Sequence, residues 1–249
     1  MKELTYISTD IEYSGESKWV LWQWSLLSLW SCELWNINNS FYSEIKPINR
    51  IYNDGAMWVI WPGFKYIWDH PEKMTSGEIL DALEQFGDTP KEAFTKYTHW
   101  LSSFDWSDLK ELACPIKFDG GLTAYYFREF IWGNPLWFSG EDGNSMLRWF
   151  LRDANISFSR LWIQKLWWSL PHNALQDSQI QAIWMEFLLY LMKFDKQNNG
   201  ETSAIYQREW KQKFLDSREV TRSVEWVKDA VISIKSTDFW KNIPYTSIL

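Results

Sequence analysis

Glycine is scarce in this chain, with 11 among 249 residues, against the roughly 17 that ordinary usage near 7% would give. Cysteine is scarcer. The two thiols, Cys32 and Cys114, both stand in apolar runs, where a free cysteine behaves as a small core hydrophobe, so neither a disulfide framework nor a cysteine-based zinc site is expected. No run of about eighteen uncharged apolar residues occurs, and Met1-Lys2-Glu3-Leu4 leads straight into strand-like sequence rather than a leader's apolar segment. A cytoplasmic protein without a membrane partner is the expectation. Positive charge is also in deficit: the formal net charge is −7, which gives no global attraction to a polyanion. That counts against a large duplex-wrapping interface but leaves room for a small site that binds the end of a strand. Metal bound at a carboxylate cluster would locally invert the field.

What the chain does contain begins with Ser8-Thr9-Asp10-Ile11-Glu12, which follows the apolar run Leu4-Thr5-Tyr6-Ile7. Side chains two apart on a strand share a face, so Asp10 and Glu12 can share one divalent cation or hold one each of a close pair. A solvated strand end explains this motif equally well when it stands alone. Asp119 closes another apolar stretch, Cys114-Pro115-Ile116-Lys117-Phe118, where it could simply initiate a turn. His172 lies five residues before Asp177 at the start of a helical pattern. There the histidine could be a loop or cap residue, and the aspartate a carboxylate favoured by the helix dipole. His70 and His99 have no such company and read as surface or packing residues.

Periodicity predicts strands over Leu4–Glu12, Leu26–Leu34 and Phe41–Pro47, with Asn36-Ile37-Asn38-Asn39 as a turn, opening an antiparallel meander. Residues 49–70 show no clean period. Helices are expected over Thr75–Phe86, with Ile79, Leu80, Leu83 and Phe86 on one face, and from Thr89 as N-cap and Pro90 to about Ser103, with Phe94, Tyr97 and Leu101 inward. A strand over Leu112–Phe118 would place Asp119 at its carboxyl end, an active-site location in α/β sheets. Helices over Leu122–Ile131, Glu141–Phe150 and Asp177–Lys193 follow. Asp195-Lys196-Gln197-Asn198-Asn199-Gly200-Glu201 marks a boundary between a domain over residues 1–195 and a mostly helical extension over 196–249. That extension could pack across the domain, mediate a homodimer or stay partly mobile.

Taken in order, Asp10-Ile11-Glu12, Phe118-Asp119 and His172-Asn173-Ala174-Leu175-Gln176-Asp177 resemble the DEDDh 3'-5' exonucleases of the ribonuclease H-like superfamily. The resemblance spans roughly residues 1–195. It implies an α/β fold with a ribonuclease H-like mixed sheet flanked by helices. It also implies a site in which Asp10, Glu12, Asp119 and Asp177 bind two Mg²⁺ or Mn²⁺ ions and His172 accepts a proton from water. The implied activity is hydrolysis at the 3' end of single-stranded or frayed DNA or RNA. A catalytically weak nucleic-acid-binding module of the same fold, or a hydrolase of small oligonucleotides, is the alternative. Gln176, where relatives often carry an acid, and Gly120-Gly121, where many carry bulkier residues, depart from the pattern and bear on substrate preference more than on metal chemistry.

Twenty tryptophans accompany the glycine deficit, and the two deviations can share one cause. Several tryptophans in Trp19-Val20-Leu21-Trp22-Gln23-Trp24-Ser25-Leu26-Leu27-Ser28-Leu29-Trp30, and those at 137, 167 and 168, fall where the resembled family carries glycine in loops. We read many of them as UGA codons that the source organism translates as glycine; an aromatic-rich protein that stacks bases on tryptophan is the rival. The gene is expected to carry UGA at Trp22, Trp24, Trp137 and Trp168, and finding UGG at these four positions defeats this reading.

Overall fold

The computed structural model describes residues 5–15, 23–60, 64, 74–105, 109–114, 116–136, 140–158, 174–197, 199–200 and 204. By compactness the chain divides into one unit of Met1–Gly143 with Leu170–Ile183 and another of Asn144–Ser169 with Trp184–Leu249. Most of the proposed extension, together with His172 and His70, lies outside the described residues.

The first unit is built on a five-stranded sheet in the order β3-β2-β1-β4-β5. Its strands are β1 (Thr5–Tyr13), β2 (Leu26–Glu33), β3 (Asn36–Glu44), β4 (Leu109–Ala113) and β5 (Gly140–Asp142). β1, β2 and β3 form the expected antiparallel meander, while β4 pairs parallel with β1 and β5 parallel with β4. This is a mixed α/β sheet, as expected. Helices α1 (Asp54–Ile60), α2 (Ser76–Phe86), α3 (Pro90–Leu101) and α4 (Ile116–Phe130) belong to the same unit. No described helix is long and apolar enough to cross a membrane.

Alternation along β1 gives the sheet two unlike faces. Ile7 and Ile11 join Leu26, Leu29, Phe94, Tyr97, Leu122, Tyr126 and Phe127 in one apolar core beneath α3 and α4. Thr9 lies within that layer and is satisfied locally: Thr9, Ser31 and Tyr97 hydroxyls are linked at 3.1, 3.4 and 2.8 Å. A smaller core joins Leu27, Met57, Ile60 and Phe64 to Ile79, Leu80 and Leu83 of α2. Thr75 and Thr89 both cap as capping boxes, each hydroxyl accepting from the backbone N–H of Glu78 or Glu92 while that glutamate accepts from the cap residue's own N–H.

Several boundaries move. Asn36-Ile37-Asn38-Asn39 is not a turn but the start of β3, because the chain reverses earlier, at Leu34-Trp35. Phe86, expected inward, is 56% exposed at the end of α2. Residues 54–60, aperiodic in sequence, form α1. β4 ends at Ala113 and α4 begins at Ile116, so Asp119 occupies the first turn of a helix rather than the end of a strand. Proline at 115 has no N–H to offer a sheet. Gly120 lies inside the helix because of close packing: a Cβ there would come within 2.8 Å of the Ile116 side chain and 2.9 Å of Glu111 Oε2.

The second unit holds α5 (Gly143–Leu151, apart from its first residue) and the later part of α6 (Ala174–Gln197), where Phe158 stacks on Trp184 with ring centroids 5.4 Å apart. Asn199 and Gly200 take φ of 55° and 81° just after α6.

Four of the described tryptophans show two contrasting settings. Trp100 donates its indole N–H to Asn39 and stacks on Tyr97, and Trp184 is buried. Trp35 and Trp132, by contrast, take φ of 68° and 64° with 53% and 93% of their surface exposed. Left-handed backbone costs a residue with a Cβ about 1 kcal/mol or more, and glycine fills it freely. Trp35→Gly and Trp132→Gly are each expected to raise unfolding free energy by about 1 kcal/mol in denaturant melts, whereas Trp100→Gly lowers it.

Candidate metal centre

The face of β1 opposite the main core carries Ser8, Asp10 and Glu12, and α6 is seated on it by its amino-terminal turns. Ser8 Oγ donates to the Ser178 carbonyl at 2.8 Å, and the Cys32 thiol, across from Ser8 on β2, approaches the same oxygen at 3.6 Å. Asp177 is the residue just before Ser178. One oxygen from each of Asp10, Glu12 and Asp177 lies within 4.8 Å of the others, a donor set suited to a hard divalent cation. Glu12 and Asp177 are buried and Asp10 is half-buried.

Asp119, also buried, falls outside that group of three. It is nevertheless close enough for its charge to act on both carboxylates of β1. His172 cannot be placed, since it lies outside the described residues. The remaining described histidine, His99, is in the last turn of α3.

Electrostatics at the cluster follow from crowding without a counter-charge. Burial, then the charges of Asp119, Glu12 and Asp177, push the Asp10 carboxyl well above the ordinary carboxylate range, with only a hydrogen bond from Gln181 acting against them. Glu12 is raised by burial, Asp177 and Asp119, and Asp119 by burial, Glu111 and Asp142. The ion pairs among the described residues, Arg50 with Asp81 and Glu84, Lys96 with Asp88 and Arg128 with Glu129, involve none of these acids. Buried hard oxygen donors that repel one another, with no Lys or Arg paired to Asp10, Glu12 or Asp119 among the described residues, fit a divalent ion.

Three further polar residues bear on the cluster and were not singled out in the sequence. Gln181 stands one helical turn beyond Asp177; an i, i+4 spacing puts both on one face, and that spacing was the available signal. Asp142 accepts from the backbone N–H of Ile116 at 3.2 Å, at the start of the helix that carries Asp119. Glu111 is a charged residue in the middle of β4, with its Oε1 buried and without a hydrogen-bond partner. Its register partner is Ile7, so it lies on the core side of the sheet, and burial pushes its carboxyl up to about 7.

No family model matches the chain. The 3'-5' DNA exonuclease Cap18 of Escherichia coli is 24% identical over 143 residues, which cover 57% of this chain and 66% of that protein. The match thus takes in just under two thirds of the relative's length. Among solved structures, the crystal structure of cell-death related nuclease 4 superposes with a TM-score of 0.56 at 9% identity, over 76% of this chain and 64% of the other. The fold is therefore ribonuclease H-like, and the likeness to these two nucleases is a distant one.

A buried acid with a raised folded-state pKa binds its proton more tightly folded than unfolded, so its contribution to stability is complete below the unfolded value and is lost as pH rises through the folded one. For Glu111 that window runs from the ordinary 4.5 to about 7. Melts in EDTA are expected to show stability falling across this window, and Glu111→Gln to flatten part of the fall.

Proposed function

We propose that this chain is a metal-dependent 3'-5' exonuclease that hydrolyses phosphodiester bonds at the 3' end of single-stranded or frayed DNA or RNA. The observation that carries the reading is the convergence of Asp10, Glu12 and Asp177 within 4.8 Å from two elements far apart in sequence. A nuclease-like fold with an acid triad able to hold a divalent metal supports an enzyme acting on nucleic acid. Cap18, the relative matched by sequence, is by name a 3'-5' DNA exonuclease.

In this reading Asp10, Glu12, Asp119 and Asp177 hold Mg²⁺ or Mn²⁺ as a two-ion site. Such ions supply Lewis-acid stabilisation of the charge that develops on the phosphate oxygens and ease departure of the 3'-oxygen. The chain's own contribution would be to supply these anionic ligands from three elements: Asp10 and Glu12 by strand alternation and Asp177 from the first turn of α6, gathered within 4.8 Å, with Asp119 added from the first turn of α4. Asp119 and Asp177 each stand in the first turn of a helix, where the dipole is complementary to an acidic side chain. His172, five residues ahead of Asp177, would take the proton from the attacking water, a role suited to an imidazole. A net charge of −7 goes with recognition of a strand terminus rather than a long duplex tract.

Purified protein is expected to release mononucleotides from a labelled single strand in Mg²⁺ or Mn²⁺, to stop with chelator and to leave a circular single strand whole. His172→Ala should lower turnover by roughly 10²-fold or more while Mn²⁺ still binds, whereas Asp10→Asn or Asp177→Asn should weaken Mn²⁺ binding in calorimetry. Cleavage that persists in excess EDTA, or nicking of circles, refutes the assignment.

A further inference from the structure

Gln181 is buried, at 4% exposure, and both ends of its side-chain amide are engaged. Its Oε1 accepts from the backbone N–H of Cys114 at 3.1 Å, and its Nε2 donates to Asp10 Oδ1 at 2.7 Å. The direction of the amide is fixed by chemistry: a peptide N–H requires an acceptor, so the oxygen faces Cys114 and the NH₂ faces the carboxylate. Cys114 follows β4 directly and leads into the helix that carries Asp119, while Asp177 is one turn back along Gln181's own helix. One neutral side chain therefore ties together the three elements that bring the acids to the site.

We propose that Gln181 is a positioning residue for the metal centre, holding Asp10 in its ligating orientation and fixing α6 against the turn between β4 and α4; this rests on the metal-dependent reading above. Its neutrality is part of the role. A lysine or arginine in its place would also donate to Asp10, but its positive charge would compete with the divalent cation for the same carboxylate. The amide orients one oxygen with a charge-assisted bond and leaves the group's full negative charge and its second oxygen available.

Gln181→Met keeps the volume and removes both hydrogen bonds, and Gln181→Asn keeps the polarity but is too short to reach Asp10. Calorimetric titration of the full chain with Mn²⁺ alone should show a dissociation constant about 10- to 100-fold weaker in both, the range for loss of an outer-shell partner. The Mn²⁺ concentration for half-maximal turnover should rise in parallel. A fall in melting temperature with Mn²⁺ affinity unchanged would make Gln181 a purely structural residue and overturn the proposal, as would failure of both variants to fold. Wild-type affinity in both variants overturns it too. A wild-type chain that binds no Mn²⁺ overturns the metal reading itself, and the role of Gln181 with it.

Discussion

Carboxylates held with their oxygens inside 4.8 Å repel one another, and the repulsion grows as they are withdrawn from water. An arrangement of this kind does not persist unless the rest of the molecule enforces it. Here the enforcement comes from the seating of the amino-terminal turns of α6 on the polar face of β1, through Ser8 and Cys32 to one carbonyl and through Gln181 to Asp10. Apolar packing on the opposite face of the same strand holds β1 rigid, since Ile7 and Ile11 belong to the main core. One strand thus serves the fold with one face and the site with the other.

A buried polar layer extends behind the site. Thr9, next to Asp10 on β1 and turned into the core layer, joins the Ser31 and Tyr97 hydroxyls, and Glu111 on the neighbouring strand adds to the rise that burial gives the Asp119 carboxyl. Gly120 is the point at which this layer approaches α4, because any Cβ there would meet Glu111. The acids are accordingly backed by groups that tune them and are not set in an inert wall. A cation held by these acids would relieve a repulsion that the polypeptide alone leaves in place, and would link folding stability to metal occupancy.

The tryptophans bear on how the sequence itself is to be read. Trp100 and Trp184 make contacts that require an aromatic ring, while Trp35 and Trp132 sit in backbone conformations that glycine adopts without strain. A protein with glycine at the second kind of position would have the same core and the same acids, with its turns relaxed. The turn at Leu34-Trp35 also sets the register of β3, and it shows why the hairpin was displaced in sequence: a reversal centred on tryptophan carries no turn signal, whereas the asparagines after it do.

Local chemistry settled much of this protein before any tertiary contact was considered. Strand alternation put Asp10 and Glu12 on one face. Thr75 and Thr89 announced their helices through capping boxes, and Phe94, Tyr97 and Leu101 marked the buried side of α3. These are readable because each depends on residues within a turn or two of one another. Likeness to a known order of acids brought Asp119 and Asp177 into the same reading, but their distances were not in the sequence. That Asp177 meets Asp10 and Glu12 while Asp119 stands just outside the group depends on how α6 and α4 dock, and docking is decided by core packing across more than a hundred residues. Glu111 and Gln181 belong wholly to this second category: a glutamate in a short strand and a glutamine on a helix have no fixed meaning until the sheet and the two helices close around them, because burial and hydrogen-bond partners are properties of the assembled fold and not of the chain.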